Sequence, residues 1–122
     1  EDSLLLSKMI VESLHRAGYV NTVNVNNGQE AWDYLSKLLD EGKDIDSVLS
    51  CIITDIEMPL MDGHRLTKLV KTNKKLNHIP LIIFSSLISE EMRIKGKELG
   101  ANEQITKPEI AKLVDVIDEL TK

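Results

Sequence analysis

CIITDIEMPLMDGHRL, residues 51–66, is an apolar run that ends in a single acid, Asp55, and continues into a turn-rich segment. Short, nearly continuous apolar runs are typical of strands that are covered on both faces of a parallel sheet. The Met-Pro and Asp-Gly pairs that follow predict a rigid loop, because Pro59 fixes its own φ and Gly63 permits a close approach of the chain. Asp62 is a candidate cap for the helix that begins there.

Apolar runs alternate with helical stripes on both sides of this segment. The helical spacing of apolar residues predicts helices over 3–17, 31–39, 62–74, 89–100 and 110–120. Apolar runs and period-two alternation predict strands over 19–25, 48–54, 80–84 and 101–105. Strands and helices that alternate over short connections indicate an α/β fold with an open, doubly wound parallel sheet.

The start of the chain leaves this alternation incomplete. The first predicted helix begins at about residue 3, with only Glu1 and Asp2 ahead of it. An alternating architecture requires an apolar strand directly upstream, and the 122 residues do not contain it. We therefore expect residues 1–122 to be one domain, cropped at its N-terminus and taken from a longer protein.

The composition excludes several classes of function. The net charge is −5 and no run of five basic residues occurs, which argues against nucleic acid and anionic membranes as direct partners. No apolar run approaches the roughly 18 residues of a membrane span, so a cytoplasmic location is expected. Cys51 lies in an apolar run and is expected to act as a small buried hydrophobe. The three histidines, including His64, lack metal-like spacing and are expected on the surface or on a helix face.

Several polar residues are predicted to meet at one edge of the sheet. Asp55 follows one strand, Ser85 follows the LIIF run, and Lys107 follows the last predicted strand. Glu1 and Asp2 would end the strand that precedes the first helix. Because ligands bind outside the carboxyl ends of the strands in such folds, these side chains are expected to form one site.

The chemistry of these residues points to a metal ion and a phosphoryl group. Neighbouring carboxylates repel by on the order of 4 kcal/mol per pair at about 4 Å and an effective dielectric near 20. Mg²⁺ offsets such repulsion, since it takes one or two carboxylates and shares its other positions with water and phosphate oxygens. Asp55 could then act as a nucleophile toward phosphorus, while Lys107 and the Ser85 hydroxyl neutralise the transferred group.

Four segments, in this order, resemble the receiver domains of two-component response regulators: ED, IITDIEMPLMDG, PLIIFSS and ITKPEI. The resemblance implies a flavodoxin-like receiver with strand order 2-1-3-4-5, whose first strand is missing from this chain. It implies that Asp55 accepts a phosphoryl group from a histidine kinase, with Lys107 and Ser85 on the phosphate. The implied Mg²⁺ ligands are Glu1, Asp2, Asp55 and the backbone carbonyl of Glu57. Such a domain catalyses only its own phosphorylation and dephosphorylation and is not otherwise an enzyme.

Three segments are similar in sequence to the C-terminal receivers of CheV-type chemotaxis proteins: TDIEMPLMDGHRLTK, FSSLISEE and QITKPEI. This likeness implies a CheA-like histidine kinase as phosphodonor. It also implies a link to a chemoreceptor-kinase array through a coupling domain outside this chain, with neither nucleic acid binding nor membrane insertion.

Two features depart from the family pattern or stay open. Gln104 stands where many receivers carry an aromatic residue, which weakens any expectation of an aromatic switch. The weak apolar stripe of 89–100 suggests a movable helix, so the output face is expected to combine 89–100, 101–105 and 110–120.

Two other functions remain possible on the sequence alone. One is a degenerate receiver that acts only as a docking module. The other is a haloacid-type phosphatase, which would need a second acid two residues past the nucleophile, where Glu57 stands in place of aspartate.

Overall fold

The computed structural model describes residues 12, 14–18, 23, 27–42, 44–57, 60–86, 88–107 and 109–121. Within them the helices are α1 Gly28–Asp40, α2 Ile45–Val48, α3 Gly63–Thr72, α4 Glu90–Leu99 and α5 Ile110–Leu120. The strands are β1 Ile52–Thr54, β2 Leu81–Ser85 and β3 Glu103–Thr106. Residues 12 and 14–16 are also helical.

The three described strands form a parallel sheet in the order β1-β2-β3. Ile53 pairs with Ile82, and Ser85 pairs with Thr106. All five residues of the central strand β2 are buried, as expected for a strand that is covered on both faces. Because the strands are parallel, α3 and α4 serve as the crossover connections between them.

Two apolar clusters cover the two faces of this sheet. The first joins alternate residues of β2 to α1 and α3, with Ile83, Leu35 and Leu66 among its members. The second joins the remaining residues of β2 to α5, with Phe84 and Leu113 among its members. Each fully buried side chain of this size contributes about 1.5–3 kcal/mol relative to exposure. A parallel sheet with helices packed on both faces is the doubly wound α/β arrangement that the sequence predicts.

Local differences from the predicted elements have physical reasons. The strand predicted over 48–54 begins only at Ile52, because residues 45–48 form the short helix α2. The Ser47 hydroxyl donates to the Asp44 carbonyl at 2.7 Å, a local bond that favours a turn over a ladder. Val23, in the strand predicted over 19–25, is in no strand and is 61% exposed.

Other predicted elements fall partly outside the described residues. These are most of the helix at 3–17 and all of 19–25 except Val23. The position of strand 19–25 in the order 2-1-3-4-5 therefore lies outside the described residues, as does anything ahead of the first helix. No helix in the described part of the chain is both long and apolar enough to cross a membrane.

Cys51 is partly buried at the start of β1 and packs against the second apolar cluster. Burial raises the pKa of its thiol to about 11, although a backbone hydrogen bond at Ile52 opposes the shift. Because the thiolate is the reactive form, this cysteine is inert near neutral pH. It behaves as the small hydrophobe that the sequence predicts.

A lysine joins three segments at the amino edge of the sheet. Lys71, near the end of α3, donates through Nζ to the carbonyls of Asn77 at 3.2 Å and Ile79 at 2.9 Å. It also donates to Asn102 Oδ1 at 2.8 Å, and that oxygen accepts from the Leu81 amide at 2.9 Å. One ammonium therefore holds the end of α3, the loop before β2 and the segment before β3 in place.

We expect Lys71→Met to destabilise the domain by about 1–2 kcal/mol, because charge-assisted hydrogen bonds to three oxygens are lost while the aliphatic stem is retained. The midpoint of urea unfolding measures this change. Lys68→Met is the matched control, since Lys68 is an exposed lysine on the same helix. Equal midpoints for the two variants would show that the contacts of Lys71 contribute nothing.

Candidate functional site

Asp55 directly follows β1 at the carboxyl edge of the sheet. Its Oδ1 accepts hydrogen bonds from the Ile56 amide at 2.6 Å and from the Ser85 hydroxyl at 2.9 Å. Its Oδ2 accepts from Lys107 Nζ at 2.6 Å. Three donors therefore fix the orientation of this carboxylate.

The partner of Asp55 comes from the other end of the domain. Lys107 follows β3, and its backbone amide donates to the Ser85 carbonyl at 2.8 Å, which fixes the position where its side chain starts. The side chains of Lys107 and Asp55 are only 5% and 10% exposed. In so shielded a pair, removal of one partner leaves an uncompensated buried charge, which typically costs about 3–5 kcal/mol.

The structure thus brings Asp55, Ser85 and Lys107 together from the ends of three neighbouring strands. Glu1 and Asp2, the other predicted acids of the site, lie outside the described residues. Glu57 is exposed in the loop after Asp55.

The loop after Asp55 is fixed by two close approaches. A Cβ at residue 63 would lie 1.8 Å from the Asp55 carbonyl oxygen, so only glycine fits at the start of α3. Likewise, a Cβ at Gly28 would lie 1.9 Å from the carbonyl oxygen of Met61. The Asp62 side chain caps α3, as predicted, by accepting from the amide of the third helical residue at 2.8 Å.

Asp55 supplies a hard oxygen donor for a metal ion. Among them, no group of three or more histidine, cysteine, aspartate and glutamate side chains is placed to hold a metal. Asp55 offers carboxylate oxygens at the sheet edge, and Mg²⁺ in proteins is held by one or two carboxylates together with water. The donor chemistry of Asp55 fits Mg²⁺, and any further acidic ligands would come from residues outside this part of the chain.

A cavity of about 730 Å³ lies beside the site, between the loop after Asp55, the start of α3 and the helix α4. Acids line it from the loop and from α4, and Lys95 is the basic residue of its lining. Glu57 and Glu91 belong to these acids. Glu57 therefore borders the groove between loop and helix.

His64 lines the same cavity; it lies on a helix face, as one of the two predicted positions has it, but that face is buried and not at the surface. It is only 5% exposed, and its Nε2 has no hydrogen-bond partner among the described residues. Burial lowers its pKa, the positive charge of Lys95 lowers it further, and Asp62 and the Met92 carbonyl oppose these effects. The helical phase could have revealed the burial, because Thr67 and Val70 follow at three-residue intervals and are 0% exposed.

A second contact that sequence reasoning missed involves Gln104 and α4. Gln104 is 8% exposed, and its Nε2 donates to the Arg93 carbonyl at 2.9 Å. The available signal was Gly96, an isolated glycine inside a helical pattern, which often marks a close backbone approach.

Comparison with known proteins shows that the sequence of this chain is similar to receiver domains. A model of the response regulator receiver domain matches residues 1–118. The chain is 32% identical over 108 residues to a chemotaxis protein CheY homolog of Campylobacter jejuni, which covers 88% of this chain and 77% of that relative.

Solved structures agree with this match. The signal receiver domain of a signal transduction histidine kinase from Syntrophus aciditrophicus has a TM-score of 0.79 at 31% identity, over 99% of this chain and 85% of that one. The receiver domain of a sensor histidine kinase from Pseudomonas aeruginosa, with a magnesium ion coordinated in its active site cleft, has a TM-score of 0.76 over 99% of this chain and 91% of that one. At 20% identity, that second likeness concerns the fold alone.

We expect Gly63→Ala to destabilise the domain by about 3 kcal/mol, because the new Cβ would collide with a backbone oxygen that cannot easily move. Gly42→Ala is the control: its φ of 69° imposes strain of about 1–2 kcal/mol, but nothing lies within 4 Å of a new Cβ. Chemical unfolding compares the two. A smaller loss for residue 63 than for residue 42 would contradict the close approach.

His64 predicts a pH dependence of stability. The fold favours neutral His64, so below the ordinary histidine pKa of about 6.5 the unfolded chain binds a proton that the folded chain resists. Stability from this group is therefore present near pH 7 and is lost progressively as the pH falls below about 6.5. His64→Gln should flatten the fall in unfolding midpoint over this range. His15→Gln, at an exposed histidine, is the control, and equal flattening in both variants would refute the assignment.

Proposed function

The chain belongs to the response regulator receiver domain family. On that premise we propose that Asp55 is the phosphoacceptor and receives its phosphoryl group from a histidine kinase. The observation that supports this most directly is the pair of donors on the Asp55 carboxylate. Ser85 Oγ lies 2.9 Å from Oδ1, and Lys107 Nζ lies 2.6 Å from Oδ2. A hydroxyl and an ammonium are the groups that a phosphoryl oxygen would need in the same place.

The proposed transfer conserves atoms and charge. An Asp55 oxygen attacks the phosphorus of a phosphohistidine, an O–P bond forms and the P–N bond breaks. The electron pair of the broken bond goes to the imidazole nitrogen, which takes up a proton from water. Lys107 and Ser85 then exchange their bonds to the carboxylate for bonds to the new phosphoryl oxygens, and this exchange neutralises the added charge.

We propose Mg²⁺ as the cofactor, held by Glu1, Asp2, Asp55 and the backbone carbonyl of Glu57. When bound, it supplies positive charge that stabilises the phosphoryl oxygens during transfer. Support comes from the oxygen donor chemistry of Asp55 and from the cation requirement of clustered acids.

Phosphorylation is proposed to switch the conformation of the carboxyl edge. It replaces one negative charge by about −1.5 to −2 and adds three acceptor oxygens, which attract Ser85 and Lys107. A change of a conformer ratio from 1:99 to 99:1 needs about 5.5 kcal/mol, which several charge-assisted bonds can supply. The output face is proposed to be α4, β3 and α5.

The signalling context is proposed from the relatives. The likeness to a chemotaxis CheY homolog supports a CheA-like kinase as phosphodonor and a role in chemotaxis. From the segments that resemble CheV-type receivers, we also propose that a coupling domain outside this chain connects it to a receptor-kinase array. In that setting the domain modulates kinase signalling and acts on no metabolite.

Two alternatives are less well supported. A docking module without phosphorylation does not need the shielded pair of Asp55 and Lys107, whose burial carries a desolvation cost. A haloacid-type phosphatase would need the acid at residue 57 to work beside the nucleophile. Glu57 instead is exposed and lines the neighbouring cavity.

We expect acetyl phosphate with Mg²⁺ to produce a slower band in Phos-tag electrophoresis, and Asp55→Asn to abolish it, because the amide oxygen is not a nucleophile toward phosphorus. Omission of Mg²⁺ or addition of EDTA should suppress the band as well. Ser86→Ala, at an exposed serine beside the site, is the control and should retain it.

A second measurement does not depend on the folding of a variant. Borohydride reduction of the phosphorylated wild-type chain converts an aspartyl phosphate to homoserine, which mass spectrometry locates in the sequence. Reduction at residue 55 supports the proposal. Reduction at another residue would overturn the assignment of Asp55, and a wild-type chain that no phosphodonor modifies would overturn the proposal in favour of the docking module.

A further inference from the structure

Helix α4 is held on the sheet by few apolar contacts. The one buried residue of α4 is Gly96, which has no side chain. Met92 and Leu99 are partly buried, while Ile94 is 50% exposed. By contrast, α3 buries Leu66 and Val70 almost completely. Something other than an apolar stripe must therefore fix where α4 lies.

Gln104 supplies a specific contact to this helix. It lies in β3 opposite Ile83 and is 8% exposed. Its Nε2 donates to the carbonyl of Arg93 at 2.9 Å. A helical carbonyl has two lone pairs, so it can accept this bond beside its bond within the helix. The side chain of one strand residue is thereby bonded to the backbone of α4.

Gly96 is shaped to receive the same amide. A Cβ at residue 96 would lie 2.6 Å from Gln104 Oε1 and 2.8 Å from its Cδ. The amide can therefore reach the helix backbone only because residue 96 is glycine. Oε1 is buried without a hydrogen-bond partner among the described residues, so the amide is held by its Nε2 end and by the fit against Gly96.

This contact lies beside the proposed switch. Ser85, which bonds Asp55, ends β2, and α4 begins a few residues later with Ser89 as its cap. Ser89 Oγ accepts from the Met92 amide at 3.2 Å. Movement of Ser85 would therefore act on the first turn of α4, whereas Gln104 holds the helix farther along, at Arg93 and Gly96.

We propose that Gln104 is a positioning residue that fixes α4 on the sheet through the Arg93 carbonyl and the gap at Gly96, and that α4 pivots about this contact when Ser85 moves. The pivot rests on the proposed function. The fixation of α4 concerns the unphosphorylated domain and does not rest on it.

A double-mutant cycle tests the fit of Gln104 against Gly96. Alanine is favoured over glycine in a helix interior, so Gly96→Ala should raise the folding equilibrium constant about fivefold when Gln104→Ala has removed the amide. With Gln104 present, the same substitution should lower that constant, because the new Cβ collides with the amide. The same effect in both backgrounds would overturn the contact.

Hydrogen exchange tests positioning without any phosphodonor. In Gln104→Ala, amides of α4 should exchange more than tenfold faster, while amides of β2 keep the wild-type rate. Gln29→Ala is the matched control, since Gln29 Nε2 bonds Asp33 on α1, far along the chain from α4. Uniformly faster exchange across the domain would show a merely structural role and overturn the proposal.

Beryllofluoride with Mg²⁺ tests the pivot separately. Wild-type chain should bind this phosphoryl analogue with chemical shift changes that begin at Ser85 and extend along α4. In Gln104→Ala the dissociation constant should change at least threefold. An unchanged constant would overturn the pivot, whereas absence of binding by the wild-type chain would instead refute the proposed function and the pivot with it, leaving the exchange result to decide the fixation.

Discussion

The shielded ion pair between Asp55 and Lys107 is the constraint on which the site depends. Two charges that are 10% and 5% exposed are tolerated only when their hydrogen-bonding capacity is filled. Asp55 meets this condition with the Ile56 amide, the Ser85 hydroxyl and the Lys107 ammonium. Since these donors come from three different strand ends, the geometry of the carboxylate depends on the register of the whole described sheet.

The arrangement divides the domain into a fixed part and an adjustable part. Helix α3 is held at its start by the contact of Gly63 with the Asp55 carbonyl, along its length by buried apolar residues, and at its end by Lys71. Helix α4 has a polar contact from Gln104 where α3 has an apolar stripe. Because α4 buries less apolar surface than α3, displacing α4 would cost less burial than displacing α3.

Sequence reasoning predicted the features that follow from chain topology. Parallel strands present their carboxyl ends at one edge, so the adjacency of Asp55, Ser85 and Lys107 followed from where three apolar runs stop. The same reasoning did not predict the burial of His64 or the turn of Gln104 toward Arg93, for which the helical phase and the isolated Gly96 are only partial signals. Both depend on where α4 packs, and a helix with a weak apolar stripe gives little information about its orientation.

The short helix α2 shows the same limit at the level of local structure, because the apolar run at 48–54 gave no sign of a helix over 45–48 in which the Ser47 hydroxyl bonds the Asp44 carbonyl. The roles of Glu1 and Asp2 depend on geometry outside the described residues and stay predictions.

The sparse packing of α4 also bears on how such a domain can diverge. Its outward residues, among them Arg93, Ile94 and Lys97, are exposed and contribute little to folding. Substitutions there should be nearly neutral for stability, since surface changes usually fall within about 0.5 kcal/mol. The helix can thus acquire new binding preferences by drift, while the acid, the hydroxyl and the amine beneath it stay unchanged.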